Sequence, residues 1–322
     1  MINKRREKKT PRFLVLLLTL AMLLPMFNIS VSAKTAVKNR EVWVFLKGSS
    51  NYITLTATKP LYVNDTAEAT AAAPNWNLLY NASENTLYMR NYNGGPISHV
   101  QEAGPFKIVT IGDNYIYHHM PFLENKEDGK AFNYGAGIYR GTKRKAGTVT
   151  EWNNTTDIHG EKGSKLTIEA IPHDRIVRGI YLNGNNPTIT GDADIYIKVH
   201  GSPENEMEKA SGFLNGWGFL DILDNASIKV EMETGEKIGA SYGFSGSTSI
   251  VNTTGSISID MKKCTNNAKA FTDVASENCD RFELRNISGI EAYVSESGSI
   301  GDLYFAQNID RTRFVVRGVD NM

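Results

Sequence analysis

The feature that most constrains this chain is a phrase that recurs about every 30 residues: a strand, a small polar turn and a second alternating strand. Four segments carry the phrase and a fifth is looser: Thr188–Val199, Leu220–Met232, Ser249–Met261, Phe282–Val294 and Leu303–Val316. Equivalent isoleucines at Ile195, Ile228, Ile257 and Ile290 are 33, 29 and 33 positions apart. Such a repeat accommodates three short strands, and stacked coils bury an apolar column that no single coil can bury. The repeat therefore predicts an all-β chain that folds as a parallel β-solenoid.

Short runs rich in Ile, Val, Thr and Tyr, broken by Gly, Asn and Asp, are typical of strands. Helical periodicity is nearly missing, and only Glu204–Lys209 and Thr265–Asp273 have the composition of single helical turns. A β-sandwich is the alternative, because it also has short strands at regular spacing. A sandwich gives no reason for the long repeat, so we favour the solenoid with few or no helices.

A small residue precedes each repeat, and we expect these small residues to occupy equivalent positions in successive coils. These starts are Gly179-Ile-Tyr, Gly212-Phe-Leu, Gly239-Ala-Ser and Ala268-Lys-Ala, with Gly137-Ile-Tyr one coil upstream.

The first 33 residues have the three parts of a cleavable signal peptide. A basic segment ends at Arg12, residues 13–27 are mainly apolar, and Val31-Ser32-Ala33 has the small residues that suit a peptidase. An uncleaved anchor is the alternative, but the apolar run is shorter than the roughly 20 residues that span a bilayer. The remaining 34–322 carries 29 basic and 34 acidic residues, a net of −5. This mildly acidic charge does not favour binding to nucleic acid. We also expect no membrane contact after cleavage.

Residues 76–114 carry a second pattern. Trp76–Gly95 includes Thr86-Leu-Tyr-Met and Asn91-Tyr-Asn-Gly, and it leads into a strand that ends Gly112-Asp-Asn114. This order resembles secreted proteins of Gram-positive bacteria that have right-handed parallel β-helices of the carbohydrate-binding-like type. The resemblance covers 76–316 and implies a right-handed β-solenoid domain over 76–322. Residues 34–75 match less well, and we interpret them as an N-terminal leading β segment.

Two aromatic pairs are candidates for sugar binding. Trp217-Gly-Phe219 and Tyr242-Gly-Phe244 are 25 residues apart and follow Gly212 and Gly239. In a solenoid they would lie one above the other, as a ladder on which sugar rings stack. The alternative is an interior stack, because large aromatic residues dominate protein cores.

Acidic turns are candidates for a calcium site, which the resemblance allows. Asp192 and Asp194, with Asp224 one coil later, would place several oxygen ligands at one edge, and Ca²⁺ takes six to eight oxygens. Asp is also favoured in turns without any metal.

The chain has two cysteines, Cys264 and Cys279. An isolated pair in an oxidising exterior predicts a disulfide, and two inert thiols are the alternative.

Catalysis has little support, because the sequence has no Gly-x-Ser-x-Gly elbow and no phosphate-binding glycine loop. We expect a secreted monomer, in the medium or loosely held at the cell surface, that presents a non-catalytic surface to a polysaccharide or cell-wall glycan. Two alternatives stay open: a β-helical polysaccharide lyase or glycoside hydrolase, and a structural surface protein without a small ligand.

Overall fold

A computed structural model describes most of the chain after residue 39. The described residues are 40–101, 105–121, 123–124, 131–133, 135–142, 155–182, 187–202, 207–215, 220–235, 238–246, 249–264, 268–272, 282–295, 298–301, 303–305 and 314–318. All of them belong to one compact unit, Asn39–Met322. The predicted signal peptide, 1–33, lies outside the described residues.

The described residues form strands and no helix. The strands are β1 (Val42–Phe45), β2 (Tyr52–Leu55), β3 (Leu61–Tyr62), β4 (Leu78–Asn81), β5 (Thr86–Arg90), β6 (Asn93–Gly94), β7 (Ile97–Gln101), β8 (Phe106–Ile111), β9 (Asp113–His118), β10 (Leu123–Glu124), β11 (Ala131–Asn133), β12 (Ala136–Thr142), β13 (Thr156–Gly160), β14 (Lys165–Ala170), β15 (Ile176–Leu182), β16 (Thr188–Gly191), β17 (Asp194–His200), β18 (Met207–Asn215), β19 (Leu220–Asp224), β20 (Ser227–Glu233), β21 (Ile238–Gly246), β22 (Ser249–Thr253), β23 (Ser256–Met261), β24 (Ala268–Thr272), β25 (Phe282–Asn286), β26 (Gly289–Val294), β27 (Ser299–Gly301), β28 (Leu303–Phe305) and β29 (Phe314–Gly318).

Three large sheets hold nearly all of these strands. Sheet 1 has the order β2-β1-β7-β12-β15-β18-β21-β24-β27, sheet 2 has β28-β25-β22-β19-β16-β13-β8-β5-β4-β3, and sheet 3 has β29-β26-β23-β20-β17-β14-β9-β6. From β12 onward, consecutive strands fall in sheets 1, 2 and 3 in turn, and their ladders are parallel. Antiparallel pairs join β1–β2, β1–β7, β3–β4, β4–β5 and β10–β11. The described part of the chain is thus all-β with largely parallel sheets, as the sequence predicts.

The repeated isoleucines are direct neighbours in sheet 3. Ile195 pairs with Ile228, Ile228 with Ile257 and Ile257 with Ile290. Each is at most 1% exposed, because alternate residues of a strand point to the same face. Buried apolar residues from all three sheets form one cluster. The repeat spacing is therefore the sequence signature of this buried column, and the predicted equivalence of the four isoleucines is confirmed.

Glycines in sheet 1 lie against branched side chains of sheet 3. A Cβ at Gly179 would lie 2.1 Å from Cγ2 of Ile197, and one at Gly212 would lie 2.3 Å from Cγ1 of Val230. Such distances exclude a side chain, so these positions require glycine for the close approach.

The predicted series of small residues is only partly right. Phe213 pairs with Phe244 and Phe244 with Phe271. The residues in line with Gly212 are therefore Gly243 and Ala270, and the expected Gly239 and Ala268 are wrong. Gly243 has the same surroundings as its predecessors, since its Cβ would lie 2.8 Å from Cγ2 of Ile259.

The predicted helical turns are also wrong where the structure describes them. Residues 207–209 of Glu204–Lys209 begin β18, and residues 268–272 of Thr265–Asp273 form β24. Both strands pair with neighbours in sheet 1. Ladder hydrogen bonds and burial of the apolar side chains override the weak local preference for a helical turn.

Candidate functional site

The outer side of sheet 3 carries a row of partly exposed polar and aromatic side chains. On β9, β14, β17 and β20 every second residue is buried, and the residues between them point outward. We call this surface the tyrosine–glutamate face. It consists of Tyr115, Tyr117, Thr167, Glu169, Tyr196, Lys198, His200, Lys229, Glu231 and Glu233.

One half of the face centres on Glu169. The hydroxyl of Tyr115 donates to Oε2 of Glu169, and Nε2 of His200 lies 2.9 Å from Oε1 of the same carboxylate. The Tyr115 hydrogen bond is the main reason that the pKa of Glu169 is lowered. Burial, followed by the bond to Glu169, raises the pKa of Tyr115. Glu169 therefore stays an ionised acceptor and Tyr115 a neutral donor.

The other half of the face centres on Glu231. The hydroxyl of Tyr196 donates to Oε2 of Glu231 over 2.6 Å, and Nζ of Lys229 lies 3.6 Å from the same oxygen. Nζ of Lys229 also lies 4.7 Å from the centre of the Tyr196 ring. Burial and the bond to Glu231 raise the pKa of Tyr196. The two halves thus share one arrangement: a carboxylate accepts a hydrogen bond from a tyrosine and lies near a side-chain nitrogen, that of His200 in one half and of Lys229 in the other.

Lysines border the face at both ends. Nζ of Lys47 lies 5.1 Å from the ring centre of Tyr115 and 5.8 Å from that of Tyr117. On the far side Nζ of Lys262 lies 2.9 Å from Oδ2 of Asp260 and 4.7 Å from the ring centre of Tyr293. Both signs of charge are therefore interspersed along the row.

The chemistry that this face offers is hydrogen bonding to hydroxyl groups. The side chains of Glu169 and Glu231 are 28% and 27% exposed, so solvent reaches them. An ionised carboxylate has about four acceptor positions, of which the internal contacts use only some. Tyrosine rings add flat apolar area beside these acceptors. Acceptors, ammonium donors and aromatic rings on the outer side of one sheet are suited to a ligand with many hydroxyls.

Two of the four aromatic residues predicted from the sequence, Tyr242 and Phe244, lie on sheet 1 rather than on this face. In β21, Tyr242 pairs with Ser211 and Phe244 with Phe213. Their strand neighbours are therefore Ser211 and Phe213 rather than the expected Trp217 and Phe219, which lie outside the described residues.

Phe244 belongs to the interior. Its side chain is 3% exposed, and its ring lies between those of Phe213 and Phe271 at centroid distances of 5.5 and 6.1 Å. A ring in this position has no free face for a sugar, so the interior stack describes Phe244. Tyr242, two residues earlier in β21, is partly exposed.

The predicted calcium ligands form turn contacts. Oδ1 of Asp192 accepts from Nδ2 of Asn225 over 2.8 Å, and Oδ2 of Asp224 accepts from the backbone N–H of Gly191 over 2.8 Å. Asp194 is exposed at the start of β17. Within the described part of the chain, no group of three His, Cys, Asp or Glu residues is placed to hold a metal ion. These hydrogen bonds between turns of neighbouring strands account for Asp192 and Asp224.

The side chain of Cys264 is buried, and its Sγ lies 3.4 Å from the carbonyl oxygen of Met232. Burial raises the pKa of this thiol. Cys279 lies outside the described residues, so its expected pairing with Cys264 is untested.

Sequence reasoning missed the tyrosine–glutamate face. The signal was present, because Tyr115-Ile-Tyr117 and Tyr196-Ile-Lys198 alternate with buried isoleucines and so present their polar residues outward. The pairing of Tyr115 with Glu169, however, joins residues 54 positions apart. Only the strand register brings them together.

Comparison with known proteins adds no further assignment: no family model, curated protein or solved structure matches the chain. None of the described residues belongs to a helix long and apolar enough to span a membrane.

Proposed function

We propose that the protein is a secreted, non-catalytic, right-handed β-solenoid that binds carbohydrate on the tyrosine–glutamate face. The solenoid is supported by the regular return of successive strands to sheets 1, 2 and 3. The right hand is supported by the strong preference for right-handed crossovers between parallel strands. Secretion, and similarity to Gram-positive extracellular β-helix proteins, rest on the signal-peptide pattern and on the motifs of residues 76–114.

A single observation carries the carbohydrate proposal: two tyrosine–carboxylate pairs, Tyr115–Glu169 and Tyr196–Glu231, lie part-buried on the outer side of one sheet. The internal hydrogen bonds hold each carboxylate in one position before a ligand arrives. A preorganised acceptor loses less conformational entropy on binding than a mobile surface side chain. We therefore assign the ligand to polysaccharide, such as a cell-wall glycan.

The test is a glycan array with the chain from residue 34 onward, followed by titration calorimetry on each glycan that binds. We expect Glu169→Gln and Glu231→Gln each to weaken binding by about 10- to 150-fold, because a hydrogen bond to a charged group contributes about 1.5–3 kcal/mol. Measurement of released product on the same glycans separates binding from cleavage.

Asp157→Asn is the matched control. Asp157 lies on sheet 2, its side chain is 27% exposed, and it accepts from the hydroxyls of Thr188 and Thr190 over 2.9 Å each. This variant removes a comparable bonded carboxylate from a different surface and leaves glycan affinity unchanged. Lack of binding to every glycan would refute the proposal, and product release would favour a lyase or hydrolase.

A further inference from the structure

The two halves of the tyrosine–glutamate face repeat with one register. Tyr115 pairs with Thr167, and Glu169 lies two residues further along that strand. Tyr196 pairs with Lys229, and Glu231 again lies two residues further along. Each tyrosine therefore reaches diagonally to a carboxylate on the next strand, in the same direction both times.

The repeat distance follows from the order of the strands. β9, β14, β17 and β20 are consecutive neighbours in sheet 3. Tyr115 and Tyr196 are therefore two strands apart, and so are Glu169 and Glu231. Because neighbouring strands are separated by about 4.8 Å, equivalent atoms of the two halves lie about 10 Å apart.

The residue between the two tyrosines, Thr167, has a short side chain. Thr167 pairs with Tyr115 on one side and with Tyr196 on the other. Its short side chain lies between two rings and does not obstruct a ligand that runs across the strands. A linear ligand can therefore contact both halves at once.

A repeat of this length is a property of one class of polysaccharide. In a β-1,4-linked chain of equatorially joined sugars, each sugar is turned over relative to the last, so every second sugar presents the same edge. Two such sugars span about the distance between the two halves, two strand spacings. An α-1,4-linked chain coils and cannot repeat its edge along a flat row.

Resting on the proposed function, we propose that the face binds a linear, uncharged β-1,4-linked polysaccharide that runs across the strands. The Tyr115–Glu169 and Tyr196–Glu231 pairs contact alternate sugars of the same chain. The interspersed charges of Lys47, Glu169 and Lys229 suit an uncharged polymer, since a row of one sign would be expected for a charged one.

The experiment compares oligosaccharides of different length and linkage by calorimetry. Cellohexaose or chitohexaose contacts both halves, whereas the corresponding disaccharide contacts only one. We expect the hexasaccharide to bind at least about 10-fold more tightly than its disaccharide, and more tightly than maltohexaose by a similar factor. Glu231→Gln and Glu169→Gln each abolish the length dependence, while Asp157→Asn preserves it.

Three outcomes overturn the inference. These are equal affinity for maltohexaose, no gain from disaccharide to hexasaccharide, or a length dependence that survives both glutamine variants. In all three the protein still binds sugar, so the proposed function stands. Absence of binding to any glycan overturns both the proposed function and the inference.

Discussion

Arg140 donates from Nη1 to Nδ1 of His99 over 2.6 Å, and both side chains are at most 1% exposed. A guanidinium only donates, so Nδ1 is the acceptor and the proton of the neutral ring is on Nε2. Nε2 lies 3.0 Å from Oδ1 of Asn85, which also accepts from the hydroxyl of Tyr80 over 2.8 Å. Nδ2 of Asn85 donates to the carbonyl oxygen of Pro105 over 2.6 Å. The contacts are mutually consistent for one protonation state of His99.

The first prediction is loss of stability in mild acid. Burial, together with Arg140, lowers the pKa of His99 well below 6.5, and burial lowers the pKa of His118 to about 4. The unfolded chain binds more protons at these sites below about pH 6.5, so stability is complete above that pH and decreases as the pH falls. The lowered pKa of His118 alone reduces the free energy of unfolding by up to about 3 kcal/mol between pH 7 and pH 4.

Urea unfolding midpoints between pH 7.5 and pH 4 measure this effect. His99→Gln and His118→Gln each reduce the slope of stability against pH, because each removes a histidine with a lowered pKa. A slope that is the same in all three proteins would show that other groups control the acid sensitivity.

The second prediction concerns the glycines of sheet 1. Gly212→Ala places a Cβ 2.3 Å from Cγ1 of Val230 and 2.7 Å from the carbonyl oxygen of Gly243. We expect a loss of about 2 kcal/mol in the free energy of unfolding, typical of overpacking. Val230→Ala removes the first clash, so the double variant loses less than the sum of the two single variants. Strict additivity in denaturant unfolding would contradict the contact.

The third prediction separates the core from the ligand surface. Phe244→Ala removes a ring from the stack with Phe213 and Phe271, and core Phe→Ala changes cost about 3–5 kcal/mol. Phe244→Leu retains most of the volume and is expected to fold with unchanged glycan affinity. Tyr242→Ala, at a partly exposed position of the same strand, costs much less stability than Phe244→Ala. Weaker sugar binding by folded Phe244→Leu would contradict the core assignment and show that Phe244 contributes to the ligand site.

The fourth prediction is a change in the titration of Glu169. Tyr115→Phe removes the hydrogen bond that contributes most to lowering the pKa of Glu169, so that pKa rises towards its ordinary value. Carboxyl ¹³C chemical shifts followed between pH 2 and pH 7 measure the change. Tyr117→Phe is the control, because it removes a neighbouring hydroxyl and leaves the Tyr115–Glu169 bond intact. An unchanged titration in Tyr115→Phe would mean that His200 and Lys198, and not Tyr115, stabilise the charged form.

The inner column was predictable from the sequence because it repeats one residue type at one spacing. Ile195, Ile228 and Ile257 could be aligned without any knowledge of the sheet. The glycines were harder to align, because Gly239 and Gly243 are both small and the sequence does not show which of them faces Ile259. Only the side chain on the opposite sheet selects between them.

The candidate site was less predictable because its contacts are diagonal. Single-sequence patterns identify which residues face outward, such as Tyr196, but not the partner on the next strand. Phe244 illustrates the reverse error, since an aromatic residue beside a glycine has the same local sequence in a core as on a surface. The local sequence pattern predicts a strand, whereas the role of each side chain depends on the residues that pack against it from neighbouring strands and sheets.

Alternation along β9, β14, β17 and β20 places the residues that hold the fold and those proposed to bind a ligand one peptide unit apart. Isoleucines of the buried column tolerate little change, whereas the outward residues between them contribute little to packing. Natural variation is thus free to alter the outer row while the column stays fixed. Substitutions at positions such as 115, 169 and 196 can therefore change what the face binds without disturbing the buried column.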